Sequence, residues 1–514
     1  MKNIIFITTI LFCSFSSFAQ IPSIQWQNNY GLSGDDVANN ITYSNLGFYI
    51  LAGATVHNGI DASIFKVDTS GNLLWSNNYG GSRNEQTYQS LITFDNKIVF
   101  IGEANSYDGD VSGVHGPWPQ GNELDYWLVC LDTSGTIEWQ KCLGGSGPDQ
   151  GFSIVQTPDS GFFITGTIYD NNGDVNMFIG GDDIWVVKTD KHGNLMWRKT
   201  IGGTNNDFGN KCILTSDGGY LIAATTSSTD VDVTGNHGSY DGWIVKLSSQ
   251  GIIQWNRAYG GSGGDAATDI LQGMNGEFYI IGTTGSIDGD ISGVIGVADM
   301  LVMKIDSVGN ILWQKCVGGS YIDEGRSGCV TPSGGVQVIG YSWSNDFDAI
   351  SNHGNKDVFV AEFDSIGNLL WVKCFGGSAD DEGFSIITTS DGGSIFSGYT
   401  SSTDGDAIGN FSNNHRDWAV KLSPLPVSVP SLTTKSVNLN VLKKGNTTLV
   451  SFNLDKDSEI RISFYDMLGR NLFKKKVRGH LGENKILLDI SLPATNCNIM
   501  QLETENGVYS KLVY

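Results

Sequence analysis

A chain of 514 residues with 40 % apolar content is long enough for a large core and more than one domain, and its composition is neither disordered nor membrane-spanning. From Lys435 onward it holds 12 Lys/Arg against 8 Asp/Glu, and Lys2 is one further cation, so the residues between carry −28 of the net −23. This balance excludes nucleic acid as a partner, because phosphate needs a cationic face, and it suits an exposed soluble body or one that binds cations.

Residues 1–19 read as a secretory signal peptide. Lys2 supplies the n-region charge, Ile4 to Phe12 is a short apolar run, and Ser17-Phe18-Ala19 puts small residues at the cleavage positions. Cys13 follows bulky Phe12, where a lipoprotein signal needs a small residue, so the expected cut precedes Gln20. No later run approaches the ~20 apolar residues of a membrane helix. Seven cysteines remain after the cut, with no CxxC pair. Cys142, Cys316 and Cys374 each follow an equivalent Trp by three residues, which reads as one buried strand position seen three times.

From Gln20 to residue 423 the chain is periodic. Trp26, Trp75, Trp139, Trp197, Trp255, Trp313 and Trp371 close segments such as Gly-Asn-Leu-Leu-Trp, and the last four intervals are all 58 residues. A second marker opens runs such as Asp-Ile-Trp-Val-Val-Lys at Asp61, Asp125, Asp183, Asp241, Asp299, Asp357 and Asp417. Each unit reads as four short strands, at 210–214, 220–226, 242–247 and 251–256 in the best-kept copy, separated by turns such as Ser-Asp-Gly-Gly at 216–219. Four strands per period of this length describe a propeller blade, which buries its faces only against neighbours. The segment ending at Trp26 is a fourth strand without a first three, and the last unit has three strands without a fourth. Joining them closes a seven-bladed ring and removes the lateral edges.

The pattern Gly-Gly-Ser, acid, Thr-Ser-Asp-Gly-Gly, Asp-x-Trp-Val-Val-Lys, Gly-Asn-x-x-Trp resembles the bacterial seven-bladed β-propeller repeat family, a resemblance that implies the fold and no activity. Blade 1 departs from it, because its loop at 56–60 lacks the acidic insert of the others. A stiff Pro-rich linker follows at 424–434, with Pro424, Pro426 and Pro430.

Residues 435–514 alternate like a small β-sandwich, with strands expected at 448–454, 459–465, 471–477, 485–490, 499–503 and 508–513. The run from Ile460 to Arg470 and the ending from Gly507 to Tyr514 resemble the type A C-terminal sorting domain of type IX secretion cargo. The stretch 492–498 departs from the Gly-containing turn usual there. The resemblance implies passage through the outer membrane, partnership with the sorting machinery, and delivery to the cell surface or medium. The fold class is therefore all-β, a seven-bladed propeller followed by a small sandwich.

Alternate loops of an antiparallel meander share one face of the ring, and here both sets are acidic. Ten residues after each repeat Trp stands a carboxylate: Asp36, Glu85, Asp149, Asp207, Asp265, Asp323 and Asp381. The other loops carry the pairs Asp108/Asp110, Asp230/Asp232, Asp288/Asp290, Asp346/Asp348 and Asp404/Asp406, with Asp174 alone in blade 3. Those ten paired acids are the binding candidates, and calcium is the cation such clusters suit. They lack the third acid and the bidentate Glu of a helix-loop-helix calcium loop, and Asp also caps tight turns. Turn chemistry is the simpler reading of a position repeated in every blade, and no cofactor is expected.

Three further patterns carry less. Gly260-Gly-Ser262-Gly-Gly264 matches a hydrolase nucleophile elbow only outside the strand-to-helix context that an elbow needs. His115, His237 and His353 lie in different blades and read as loop packing. The repeat Trp residues read as blade-packing aromatics, which leaves Trp118 and Trp343, both off the pattern, as better binding candidates.

The expected function is that of an exported, noncatalytic binding or scaffold protein engaging polysaccharide or protein through the acidic face. The alternative is a carbohydrate-active hydrolase or lyase. No blade shows a unique acid pair beside a unique basic residue, which weighs against that alternative.

Overall fold

The computed structural model describes residues 21–31, 35–56, 59–116, 123–408, 415–425, 440–444, 447–454, 457–466, 471–480, 482–489, 498–504 and 507–513. The expected signal peptide, Trp118, most of the linker and Cys497 lie outside the described residues.

Seven four-stranded antiparallel sheets form the ring. Blades 1 to 6 span 36–79, 85–143, 150–201, 207–259, 265–317 and 323–375, and blade 7 spans 381–422 with an outer strand taken from the N-terminal segment. That strand, Ile24–Tyr30, runs antiparallel to Arg416–Leu422, with Trp26 opposite Lys421 and Tyr30 opposite Asp417. Closure therefore follows the join expected from the repeat count.

In blade 4 the strands are Asp207–Leu214, Tyr220–Thr226, Asp241–Leu247 and Ile253–Tyr259. The fourth starts two residues later than expected because Gly251 belongs to the turn, at φ +75°. There a Cβ would stand 2.9 Å from ring atoms of Trp197 in the preceding blade. Equivalent glycines pack on Trp26, Trp139 and Trp313, and the indoles of Trp26, Trp75 and Trp313 donate to turn carbonyls of the next blade. The repeat Trp is thus an inter-blade contact, and the Gly-Asn-x-x-Trp motif encodes both halves of it.

Apolar clusters straddle neighbouring blades. Ile50 and Ile64 of blade 1 share one with Phe100 and Trp127 of blade 2. Trp127, Trp185, Trp243 and Trp418 on the third strands are fully buried. Among the described residues six cysteines are free, and burial pushes the thiols of Cys130, Cys212, Cys316 and Cys374 up to about 12.

The C-terminal segment holds two antiparallel sheets, one of three strands and one of four. A strand at Asn440–Lys444 precedes those expected from the sequence. Val450 and Phe452 of the first sheet cluster with Ile460, Ile462, Phe464 and Leu502 of the second. Among the described residues no helix is long and apolar enough to cross a membrane.

Candidate functional site

The ten paired acids all lie on one face, in the loops between second and third strands. The first acid of each pair is committed to the main chain. Asp108, Asp230, Asp288, Asp346 and Asp404 accept the N–H of Ser82, Thr204, Ser262, Ser320 and Ser378 at 2.7–2.9 Å. Those N–H groups hold Asp288 and Asp404 below the usual carboxylate range. In blade 3 the same place belongs to Asn172, whose Oδ1 accepts the Ser146 N–H at 2.7 Å. An uncharged amide makes the same bond there, and the Asp170 carboxylate beside it accepts that N–H as well at 3.0 Å and the Ser146 hydroxyl at 2.7 Å.

The second acids, Asp110, Asp232, Asp290, Asp348 and Asp406, donate their own N–H to the carbonyls of Gly80, Gly202, Gly260, Gly318 and Gly376. In blade 6 Asp348 falls in a short 3-10 turn, Phe347–Ala349, and Asp406 pairs with Lys373 at 3.3 Å. Among the described residues no three His, Cys, Asp or Glu side chains are arranged to hold a metal ion.

Behind these loops lies a buried layer of acid. Asp207 accepts from Gly203 N at 2.7 Å, from Ser228 Oγ at 2.9 Å and from Thr226 Oγ1. Asp265 and Asp323 repeat this pattern. Beside each stands the Asp that opens the third strand of the preceding blade. Asp125, Asp241 and Asp357 are clasped by His115, His237 and His353, Nδ1 to Oδ2 at 2.6–2.8 Å, within their own blades. Each histidine therefore ties down the end of its own loop. In Asp183 and Asp299 backbone N–H groups take the histidine's place.

Departures from sevenfold repetition occur on the ring axis. Every innermost strand carries a β-bulge near its start, after the third residue in blades 2, 4, 5, 6 and 7 and after the second in blades 1 and 3. A bulge re-aims a side chain, and here residues from all seven blades line a cavity of about 110 Å³. Asn39, Asn210 and Thr268 are spent on tying blades together, bonding to the carbonyls of Thr87, Ala267 and Gly325 at 2.8–2.9 Å. The equivalent places in other blades are Tyr88, Phe152, Arg326 and Phe384, and Tyr88 meets Phe152 edge-on at 4.9 Å.

At the acidic-face end of this cavity, blades 6 and 7 share a feature the others lack. Glu324 stands across from Tyr341, and Glu382 across from Tyr399, as direct strand partners. Tyr399 donates to Glu382 at 2.9 Å, and Lys356 pairs with the same carboxylate. The Lys356 ammonium lies 5.3 Å from the Tyr341 ring centroid and 5.4 Å from that of Trp343. Arg326 lies over Tyr341 at 5.4 Å and pairs with Glu324 at 2.9 Å. His415 stacks on Tyr399 at 4.2 Å. Burial first, then the neighbouring glutamates, raises both tyrosines well above their ordinary range.

This cluster contains two acids beside two cations, the combination the blade-by-blade reading did not find. Glu382 and Tyr399 are 17 residues apart, and Lys356 belongs to another blade. Aligning the repeats would have shown Tyr at this second-strand position in blades 6 and 7 alone. Trp343, singled out from the sequence, lies at its rim and is 44 % exposed. A second groove of about 330 Å³, between blades 2 and 3 on the opposite face, is lined by Phe94, Trp139, Phe162 and His192.

No family model matches the chain. Two curated proteins are similar to parts of it. The regulatory protein FlaEY of Caulobacter vibrioides is 27 % identical over 139 residues, 25 % of this chain and 14 % of its own length. An uncharacterized WD repeat-containing protein of Acanthamoeba polyphaga mimivirus is 20 % identical over 328 residues, 48 % of this chain and 24 % of its own length. The chain thus spans a quarter or less of either relative.

Among solved structures, Sqt1 from Chaetomium thermophilum aligns with TM-score 0.39 and 11 % identity, over 83 % of this chain and 97 % of that one. The Pseudomonas aeruginosa periplasmic gluconolactonase PpgL aligns with TM-score 0.33 and 11 % identity, over 87 % and 100 %.

Proposed function

We propose that the chain is an exported, noncatalytic binding or scaffold protein whose propeller engages an extracellular ligand through its acidic-loop face. One observation carries this reading. The acids of that face repeat from blade to blade as part of the loop turns, and blades 6 and 7 alone add to it an aromatic patch with internally paired charges. Export is supported by the N-terminal pattern around Lys2 and Ser17-Phe18-Ala19, and by the resemblance of 460–470 and 507–514 to a type IX sorting domain.

A second reading, a carbohydrate-active enzyme, is favoured by the Lys356–Glu382–Tyr399 group, where a hydroxyl, an ammonium and a carboxylate meet. Incubating the full chain with a panel of polysaccharides separates the two. Retention on the polymer without release of reducing ends or unsaturated products supports a binding protein, and release of either overturns it. For export, removing 435–514 in a host with type IX secretion is expected to leave the propeller folded in the periplasm. Normal surface delivery of that truncation refutes the sorting assignment.

A further inference from the structure

We infer that the patch built by Glu324, Arg326, Tyr341, Trp343, Lys356 and Glu382 is a binding subsite for an uncharged pyranose unit of a glycan. The inference rests on the binding reading above and gives that reading a site and a ligand class.

Chemistry selects this ligand in three steps. First, a sugar ring offers a face of C–H groups to an aromatic ring and hydroxyls around its edge. Trp343 presents a partly exposed indole, 44 % accessible, and Tyr321 beside it is exposed as well. The main-chain N–H of Trp343 donates to the Ile322 carbonyl at 3.0 Å, and its ring faces the Lys356 ammonium shared with Tyr341. A platform fixed before the ligand arrives loses less freedom on binding.

Second, the rim is polar in both senses. The Glu324–Arg326 pair keeps roughly a third of each side chain accessible, 29 % and 37 %, and so offers acceptors and donors to hydroxyls. Third, the charges cancel locally, Arg326 against Glu324 and Lys356 against Glu382. Around this neutral patch lie the acidic loops of a ring within the stretch between Lys2 and Lys435 that carries −28. A uronate or sulfated polymer would be repelled on approach, whereas an uncharged glycan meets no such barrier.

Affinity of the full chain for soluble xylan, glucomannan and laminarin tests this, with alginate as the polyanion and indole fluorescence or retardation in affinity gels as the readout. The wild type is expected to bind at least one neutral polymer and not alginate. Trp343→Ala should weaken that binding about tenfold or more, and Trp343→Phe should largely restore it. Arg326→Met should weaken binding too. Phe94→Ala, on the opposite face, should not, and unchanged thermal unfolding guards against misfolding. Neutral-polymer binding that survives Trp343→Ala and Arg326→Met overturns this site while leaving a binding function intact. Alginate preferred over every neutral polymer, or no polymer bound, overturns the ligand class. Product release in the polysaccharide assay overturns the noncatalytic reading and leaves this subsite standing.

Discussion

Asp183 and Asp207 belong to neighbouring blades yet share the space beside Gly202, where a Cβ would lie 2.4 Å from Asp183 Oδ1 and 2.8 Å from Asp207 Oδ2. Both side chains are fully buried, and Asp183 Oδ1 has no hydrogen-bond partner among the described residues. Gly144, Gly260, Gly318 and Gly376 stand between equivalent pairs. The Gly-Gly of the repeat leaves room for two carboxylates where any side chain would collide with them.

This arrangement dictates a pH dependence. Burial, reinforced by the charges of Asp207 and Asp182, pushes Asp183 up to about 6 from an ordinary 3.8. Asp299 and Asp357 are pushed to about 6, and Asp149 to about 7, burial again leading. In the unfolded chain these groups lose their protons near pH 4, while the folded ring holds them to pH 6 or 7. Stability therefore falls as pH rises through that window. His115, raised by its bond to Asp125, acts in the same direction, since its contribution is lost as pH climbs past its folded value. The opposite slope, at lower pH, comes from Asp217, held down to about 2 by Thr215 and Lys246. Thermal unfolding should peak near pH 4–5. Asp183→Asn should stabilise the ring by about 1–3 kcal/mol at pH 8 and leave it unchanged at pH 4, as read by melting temperature against pH.

The loop acids should behave as acceptors. Because Asn172 already makes the blade-3 bond, Asp288→Asn is expected to leave the melting temperature unchanged and Asp288→Ala to lower it. Wild type and Asp288→Asn should also melt alike in EDTA, millimolar calcium and millimolar magnesium. A calcium-specific rise that Asp288→Asn diminishes would reinstate these loops as cation ligands.

The lock between Trp197 and Gly251 should be costly to break. Gly251→Ala forces a side chain into the left-handed region at φ +75° and into contact with the indole. Gly218→Ala meets the same backbone problem, at φ +81°, with nothing within 4 Å. The control is expected to lose about 1–2 kcal/mol and Gly251→Ala clearly more, measured by denaturant unfolding.

Ring closure should matter more than either. Deleting residues 21–30 removes the strand beside Arg416–Leu422, the buried Tyr30 and its bond to the Gly71 carbonyl at 2.7 Å. It also bares an edge next to fully buried Trp418. The expected loss is about 3 kcal/mol or more, with concentration-dependent aggregation visible by light scattering.

What the sequence determined by itself was everything that repeats. Strand alternation, Gly-containing turns and a 58-residue period are local signals, and seven copies reinforce one another, so blade number and closure could be counted from the Trp and Asp markers. Even the acid at the start of each inner strand was legible as architecture, because a site normally breaks symmetry. Only the tertiary structure decided what lies between blades and on the axis. That Asp183 meets Asp207 and that Glu324, Arg326, Tyr341 and Lys356 converge both depend on register. A bulge after the third residue swings Arg326 toward the axis, strand pairing sets Glu324 against Tyr341, and ring geometry brings Lys356 over from the next loop. Side chains this far apart along the chain interact only after the ring closes, and no local pattern encodes their distance.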